Sequence, residues 1–302
     1  MNDEISLWRL FFRIVERGSL SKAAEDLGLE PSSVSRRLSS LEGRLNARLL
    51  NRSTRSLTLT DAGTRAYEQM RPLIDEMEGV LADLDTTSPV VSGGIRMTAP
   101  VNFGERYVTP WLTSFQQLHP GIKFDLVLAD SRLDLMAEGI DVALRVGELP
   151  TSELVARRIG SMPNVLCASP RYLADKTLPG TPADLSAHRA LLYSLGRDRN
   201  RTRLKLERKG LEQTVELTGT FFLNNVGAIH RAVLDGAGIH AGPRWLFDEA
   251  LASGQLIELL EEWSLPALPV HLVRLKGRYV PQRVELLCDW IAQCWAKARF
   301  PE

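Results

Sequence analysis

The sequence predicts a mixed α/β protein that begins with short helices and continues as alternating strands and helices. Three observations support this fold class. Helical patterns separated by glycines fill residues 1–60, one long apolar seam follows in residues 61–88, and short apolar runs recur at strand-like spacing through residues 91–302. We therefore expect a winged helix-turn-helix, then a linker helix, then a two-lobed α/β domain over these three ranges.

The first two predicted helices are separated by sharp turns. Gly18 ends the first helix, Ser21 is in the position of an N-cap for the second, and Gly28 supplies the tight reversal that a helix-turn-helix needs. The apolar stripe of the first helix consists of Leu7, Leu10, Phe11, Ile14 and Val15.

The third predicted helix has a small, basic face that suits the major groove of DNA. Pro31 stands in its first turn, and an apolar face of Val34, Leu38, Leu41 and Leu45 is expected to be buried. The opposite face carries serines and arginines. Short hydroxyl side chains allow close approach, and arginine can bind guanine or a phosphate.

A local excess of positive charge accompanies this helix, although the whole chain has a net charge of zero. Residues 31–58 contain six arginines and one acidic residue, so their balance is 6 − 1 = +5. The segment from Leu45 to Thr60 is interpreted as a strand pair, the wing. A solvated basic face is the alternative interpretation. The predicted DNA contacts are Ser21, Ser32, Ser33, Ser35, Arg36, Arg37, Arg52, Thr54 and Arg55.

A long helix is predicted to begin at Thr60, with Asp61 in its first turn. Its apolar residues alternate spacings of four and three, and a single helix of this kind would leave the seam exposed. A dimer would bury the seam and would pair two reading heads, which predicts an operator with two-fold character. The expected dimer contacts are Ala66, Met70, Leu73, Met77, Val80 and Leu84.

The segments FFRIVERGSLSKAAEDLG, PSSVSRRLSSLEGRL and LLNRSTRSLTLTDAG resemble the reading head of LysR-type transcriptional regulators, and the resemblance extends over nearly the whole chain. Pro31 stands where that family often has glutamine, so base readout there must differ. The resemblance implies a periplasmic-binding-protein-like effector domain, a small-molecule effector and a homodimer or tetramer. We also expect contact with RNA polymerase. Lobe I would span about 91–164 and 268–302, and lobe II about 165–267.

The chain after residue 94 contains eight short apolar runs that predict strands. A basic run and a group of glycines in the same part of the chain each need a separate interpretation. A basic run at 197–209 lies in a predicted hairpin and is interpreted as a solvated face, with a second nucleic-acid or intersubunit contact as the alternative. The glycines of DGAGIHAG precede a strand and are not interpreted as a dinucleotide loop. The expected strands are IRMTAP, KFDLVLA, DVALRVG, NVLCAS, ALLYS, TFFLN, GIHAGP and PVHLVR.

Two predicted helix starts suggest where an effector would bind. Asn102 and Glu105 have the spacing of a capping box, and a second helix, Val226 to Leu234, follows Asn225. Helix amino termini attract carboxylates, Arg145 adds a cation, and Phe103 would form an apolar wall. A small anionic or aromatic ligand is therefore expected. In the alternative interpretation Asn102 is only a cap, Arg145 pairs with a structural carboxylate and Thr98 is an ordinary strand end. The predicted effector contacts are Thr98, Pro100, Asn102, Phe103, Arg145, Gly147 and Asn225.

Other functional classes lack their residue patterns. Cys167, Cys288 and Cys294 form no CxxC pair, and the five histidines are scattered, so neither metal binding nor catalysis is expected. No cofactor is expected. No signal peptide and no membrane-length apolar run are present in the sequence, which predicts a cytoplasmic protein. A ligand-responsive regulator and a constitutive DNA-binding protein with a vestigial cleft are the two remaining classes.

Overall fold

The computed structural model describes residues 2–52, 57–84, 91–149, 154–194, 202–276, 280–298 and 300. The chain forms two compact units that divide at about residue 89. The first unit contains α1 (Asn2–Arg17), α2 (Leu20–Leu27), α3 (Pro31–Leu45), β1 (Leu50–Arg52), β2 (Leu57–Leu59) and α4 (Asp61–Leu84).

The three short helices form around the predicted apolar faces. Gly18 and Gly28 take the left-handed conformation at φ +59° and +63°, which lets α1 and α2 end sharply. The predicted turns are thereby confirmed. Trp8 and Phe12 are buried as well, so the stripe on α1 is wider than the sequence pattern indicated. The shared core of α1 and α3 includes Leu7, Leu10, Phe11, Ile14, Val34, Leu38 and Leu41.

Two predictions about helix ends are wrong. Ser19, not Ser21, is the N-cap of α2, and its hydroxyl accepts a hydrogen bond from the backbone N–H of Lys22 at 3.4 Å. Ser21 lies inside the first turn, because the half-buried Leu20 already belongs to the helix. Leu45 is the last residue of α3, is 41% exposed and takes no part in the wing.

The wing is a two-stranded antiparallel ribbon in which Leu50 pairs with Leu59. A carboxylate from α3 holds its first strand: Oε1 of Glu42 accepts hydrogen bonds from the backbone N–H groups of Leu49 at 2.9 Å and Leu50 at 3.2 Å. The predicted strand pair is confirmed at these strands. The predicted contacts Thr54 and Arg55 and the side chain of Arg52 lie outside the described residues.

Replacing Glu42 with alanine is expected to loosen the wing. Two partly buried N–H groups would lose their charged acceptor, which costs about 1–3 kcal/mol. Faster hydrogen exchange of residues 49–50 would report the loss. Glu42→Gln keeps one side-chain oxygen as an acceptor and should retain most of the protection. Unchanged exchange in Glu42→Ala would contradict this role for the carboxylate.

Helix α4 starts at a cap that includes a close backbone approach. The Thr60 hydroxyl accepts a hydrogen bond from the N–H of Gly63 at 2.9 Å and donates one to the carbonyl of Arg48 at 2.6 Å. A Cβ at Gly63 would lie 1.9 Å from the carbonyl oxygen of Leu49, so glycine is needed there. The predicted helix start is confirmed.

The apolar seam of α4 packs in part within its own chain. The Tyr67 ring meets Phe12 edge-on at 5.7 Å, and the Arg71 guanidinium bonds the Tyr67 hydroxyl at 2.6 Å. The expectation that one helix alone would leave its seam exposed is therefore wrong for this stretch, because α4 covers α1. Leu73 remains 57% exposed, and the side chain of Leu84 lies outside the described residues. The residues of the seam that pack on the helical core are Ala66, Tyr67, Met70, Ile74 and Met77.

The described residues of the second unit form one five-stranded sheet and three smaller sheets of two or three strands. We use lobe I for the five-stranded sheet of order β4-β3-β5-β14-β6 with α5, α6 and α10, and lobe II for β7–β13 with α7–α9. The strands are β3 (Gly93–Ala99), β4 (Ile122–Leu128), β5 (Val142–Val146), β6 (Leu154–Met162), β7 (Asn164–Ala168), β8 (Arg189–Tyr193), β9 (Arg203–Arg208), β10 (Leu211–Glu216), β11 (Thr218–Leu223), β12 (His240–Pro243), β13 (Ile257–Glu258) and β14 (Leu268–Leu275). The helices are α5 (Val101–Phe103), α6 (Thr109–Leu118), α7 (Pro170–Leu173), α8 (Val226–Leu234), α9 (Arg244–Ala252) and α10 (Gln282–Ala298).

The eight predicted strands all form, and β6 and β13 are additional strands. In lobe I, β3 runs parallel to β4 and β5, whereas β14 is antiparallel to β5 and β6. A π-helical turn, Gly104–Val108, joins α5 to α6 into one continuous helical segment. In lobe II, β7 lies between β12 and β13, and β8 pairs in parallel with β11.

The chain passes between the lobes twice, and the two crossings are hydrogen-bonded to each other. The first crossing runs from β6 to β7, and the second precedes β14. The side-chain amide of Asn164 donates to the carbonyl of Pro266 at 2.7 Å. This bond joins the crossing segments and marks the hinge side of the two lobes.

The predicted hairpin forms from β9 and β10, and Gly210 turns it at φ +80°. Lys205 pairs with Glu212 at 2.5 Å, and Arg208 with Glu262 at 2.9 Å, so acidic neighbours balance part of the basic run. Residues 197–201 of that run lie outside the described residues. Among the helices that the structure describes, none is long and apolar enough to cross a membrane.

Candidate nucleic-acid interface and ligand cleft

Helix α3 presents most of its predicted contact face to solvent. Ser32, Arg36 and Arg37 are exposed, while Ser33 and Ser35 are half-buried. The buried face of the same helix anchors it in the core, so the arginines project from a rigid support. Ser21 on α2 is exposed as well, and Ala23 and Ala24 of α2 pack in the same core as α1. An ion pair between Arg17 and Asp26 at 2.9 Å joins the two helices at the surface.

The cleft contains two helix starts, as predicted, but the first has a different cap. Pro100 occupies the N-cap position and has no side-chain cap bond, and Glu105 is exposed. The backbone N–H of Val101 donates to Oδ1 of Asp130 at 3.0 Å. The capping box between Asn102 and Glu105 is therefore wrong, because a carboxylate at the end of the neighbouring strand caps this helix.

The second helix start faces the first across the lobes. Asn225 caps α8, since its Oδ1 accepts from the N–H of Ala228 at 2.9 Å. Its Nδ2 donates to Oδ2 of Asp130 at 2.7 Å. The N–H of Gly227 donates to Oδ1 of Asn102 at 3.1 Å. The expectation that two helix starts meet is confirmed, and Asp130 is the residue that sequence reasoning missed. Its position two residues after β4, whose last residue Leu128 pairs with Ala99 at the end of β3, was the available signal.

Phe103 does not line the cleft. Its side chain is 2% exposed and lies among the rings of Tyr107 at 4.9 Å and Trp245 at 5.5 Å between ring centres. Trp245 belongs to lobe II, and its indole N–H points to Sδ of Met162 at 3.1 Å, next to the first crossing. The prediction of an accessible aromatic wall is wrong, because this ring fills the hinge side of the interlobe contact. The rest of the cluster consists of Trp111, Trp295 and Phe300.

The predicted effector contacts Thr98, Gly147 and Arg145 each donate a hydrogen bond to a backbone carbonyl of the protein. Thr98 is 7% exposed and its hydroxyl donates to the carbonyl of Val127 at 2.8 Å, as expected of an ordinary strand end. Gly147 takes φ +96° where the chain leaves β5, and its N–H donates to the carbonyl of Pro269 at 2.8 Å. Arg145 donates to the carbonyl of Leu133 at 3.0 Å.

The guanidinium groups of Arg132 and Arg145 make lobe I positive near the carboxyl ends of β4 and β5. Burial, and then the nearby charge of Arg132, lower the pKa of Arg145 from its ordinary value. Arg132 donates to the carbonyl of Glu148 at 3.0 Å. Within the described part of the chain, no ion pair is found for either guanidinium and no carboxylate acts on the pKa of Arg145, so the alternative of a structural carboxylate partner for Arg145 is not supported. An anion would be stabilised here.

The cysteines and histidines show no reactive arrangement. Burial raises the pKa of Cys167 to about 12 and that of Cys288 to about 11, so both thiols stay protonated at neutral pH. All three cysteines are free. Across the described residues, no group of three or more His, Cys, Asp or Glu side chains could hold a metal ion.

A winged helix-turn-helix joined to a long helix and a two-lobed α/β unit is the architecture of a transcriptional regulator with a DNA-binding domain and an effector-binding domain. Residues 5–64 match the bacterial regulatory helix-turn-helix protein, lysR family, and residues 89–296 match the LysR substrate binding domain. The chain belongs to the family of LysR-type transcriptional regulators. This family is not enzymatic.

Relatives of similar length support this assignment. The chain is 34% identical to the HTH-type transcriptional regulator PtxR of Pseudomonas aeruginosa, over 96% of this chain and 92% of the relative. It is 31% identical to the probable regulator LtrA of Klebsiella pneumoniae, over 94% and 92% of the two chains. The full-length structure of the Vibrio cholerae virulence activator AphB is similar at 29% identity and a TM-score of 0.58, covering 97% of this chain and 99% of that one.

Proposed function

We propose that this regulator binds a two-fold operator as a dimer and that a small anionic effector in the interlobe cleft modulates the binding. The observation that carries the effector class is the pair of neighbouring guanidinium groups, Arg132 and Arg145, near the carboxyl ends of β4 and β5 in lobe I. Among the described residues, the recorded partners of the two side chains are the carbonyls of Glu148 and Leu133, not carboxylates. A site with two positive charges binds an anion in preference to a neutral ligand.

The predicted contacts on α3 are proposed to read DNA. Arg36 and Arg37 lie on its exposed face beside Ser32, and α3 is held by a buried apolar face. Arginine on a recognition helix reaches guanine O6 and N7 in the major groove. The wing contacts Arg52, Thr54 and Arg55 are proposed to follow the phosphate backbone.

Replacing Arg36 with alanine is expected to weaken operator binding by about 1–3 kcal/mol if the side chain reads a base. Binding to unrelated duplex should change much less, and titration of both duplexes at one salt concentration measures the difference. Arg171→Ala, at an exposed arginine of lobe II, is the matched control. Equal operator affinity in Arg36→Ala and wild type would remove Arg36 from the interface.

The dimer is proposed to use the part of α4 that its own chain leaves uncovered. Leu73 is 57% exposed in the middle of the apolar seam, whereas Ile74 is buried against the helical core. A large exposed leucine between packed apolar neighbours favours a helix of a second copy. A tetramer, contact with RNA polymerase and a cytoplasmic location are part of the same proposal.

A genome-wide footprint of the purified protein tests the proposed function. The source DNA is fragmented, and protection is mapped with and without a pool of small aliphatic and aromatic acids. Discrete two-fold sites whose protection changes with the pool would support an effector-controlled regulator. Without discrete sites, the proposed operator specificity fails.

A constitutive regulator is the second candidate, and one observation favours it. The polar groups at the two helix starts already bond to one another, through Asp130 with Asn225 and Asn102 with Gly227. A cleft of this kind could stay closed without a ligand. Discrete operator sites that ignore every acid in the pool would favour this candidate.

A further inference from the structure

The lobes contact each other at two places, one through packed aromatic rings and the other through hydrogen bonds between polar groups. On the hinge side, Trp245 of lobe II packs against Phe103 and Tyr107 of lobe I, at 5.5 Å from each ring centre. The Arg106 guanidinium lies over Trp245 at 5.9 Å. Separating these surfaces would expose buried aromatic area, which is costly in water.

At the two helix starts the interlobe contact is polar. Two hydrogen bonds join the lobes there, from Asn225 to Asp130 at 2.7 Å and from Gly227 to Asn102 at 3.1 Å. Water can replace a polar contact of this kind, and the net stabilisation from each such bond is about 0.5–3 kcal/mol. These contacts can therefore break while the aromatic side stays packed.

The bonds on the polar side depend on one another. Oδ1 of Asp130 holds the N–H of Val101, which is next to Asn102, and Oδ2 holds the amide of Asn225, the cap of α8. The Ala228 N–H bonds Oδ1 of Asn225 and so turns its Nδ2 toward Asp130. A Cβ at Gly227 would lie 2.4 Å from Nδ2 of Asn102, so the lobes meet closely at this glycine.

We propose that Asp130, Asn102 and Asn225 form a latch that closes the interlobe cleft and opens about the aromatic side. Closing the latch pairs the Gly227 N–H, a donor that the start of α8 leaves without a partner inside the helix, with Oδ1 of Asn102 in lobe I. The Val101 N–H bonds Asp130 within lobe I and holds that carboxylate in place. An effector that enters the cleft must break these bonds. The role of the latch in effector binding rests on the proposed function, whereas the coupling between its hydrogen bonds does not.

Hydrogen exchange at the two helix starts tests the latch without effector or DNA. In Asp130→Ala we expect the Gly227 N–H to exchange about tenfold faster, although its own acceptor Asn102 is intact. In Asn102→Ala we expect the Val101 N–H to exchange faster by a similar factor, although Asp130 is intact. Each variant thus reports on the bond that it does not remove. In the double variant, the N–H groups of Gly227 and Val101 should each exchange no faster than in the single variant in which that group exchanges faster.

The controls separate the latch from a general loosening. Asp125→Ala removes an exposed carboxylate of lobe I that pairs with Arg96 at 3.1 Å, and it should leave both helix starts protected. Asp130→Asn preserves the side-chain volume and should still speed exchange at Gly227 if Asp130→Ala does not fold. Exchange that changes only at the bond each substitution removes would overturn the latch. A failed latch would leave the footprint test unaffected.

Discussion

Phe103→Ala is expected to destabilise the second unit by about 3–5 kcal/mol, the usual cost of removing a fully buried aromatic side chain. The ring is 2% exposed and contacts aromatic rings from both lobes. Its loss would leave a cavity where Trp245, Trp111 and Trp295 meet. Urea unfolding followed by tryptophan fluorescence measures the effect directly, because these indoles surround the site.

The control for Phe103 is a phenylalanine that the fold leaves open to water. Phe221 in β11 is 48% exposed, and Phe221→Ala should change the stability by less than about 1 kcal/mol. Phe103→Leu refills part of the cavity and should recover part of the loss. If Phe103→Ala unfolded at the wild-type urea concentration, the ring would not be a packed core residue.

The elements that the sequence predicted well are those set by local rules. Apolar spacing placed Val34, Leu38 and Leu41 on the buried face of α3, and glycine was needed at Gly18 and Gly28 for positive φ. Strands such as β5, β7 and β8 were visible as short apolar runs because consecutive residues in them are buried, so both of their faces are covered. Periodicity and backbone strain need only neighbours in the sequence.

The predictions that failed depend on partners far along the chain. Asn102 has the spacing of a capping box, yet its side chain accepts from Gly227, 125 residues away. Phe103 follows a helix start, but the π-helical turn at Gly104–Val108 and the packing of Trp245 decide which way its ring faces.

The same reason explains the mixed outcome for α4. The heptad pattern predicted an apolar seam correctly, but a pattern cannot specify whether the covering helix belongs to the same chain. Here Tyr67 and Ile74 pack on α1, and Leu73 is left exposed. The candidate dimer surface is therefore narrower than the full seam.

His240 is expected to make the second unit less stable in acid. Its ring is 4% exposed and Nδ1 lies 2.7 Å from the carbonyl oxygen of Leu191, so Nδ1 carries the proton and Nε2 does not. Burial lowers the pKa of His240 to about 4, although the Leu191 carbonyl opposes the shift. Between pH 6.5 and 4 the unfolded chain therefore binds a proton that the folded chain does not, and stability falls as the pH falls. The full loss is about 3 kcal/mol.

Comparing unfolding of wild type and His240→Asn from pH 7 to pH 4 isolates this contribution. The asparagine amide can donate to the Leu191 carbonyl as Nδ1 does, but it takes up no proton, so the variant should lose about 3 kcal/mol less over that range. Burial also lowers the pKa values of His188 and His230, and both residues remain in the variant. Their contribution, like that of the carboxylates, cancels in the difference. Parallel pH curves for wild type and His240→Asn would mean that the folded protein accommodates the charged ring, which would require a partner for Nε2 that forms only in acid.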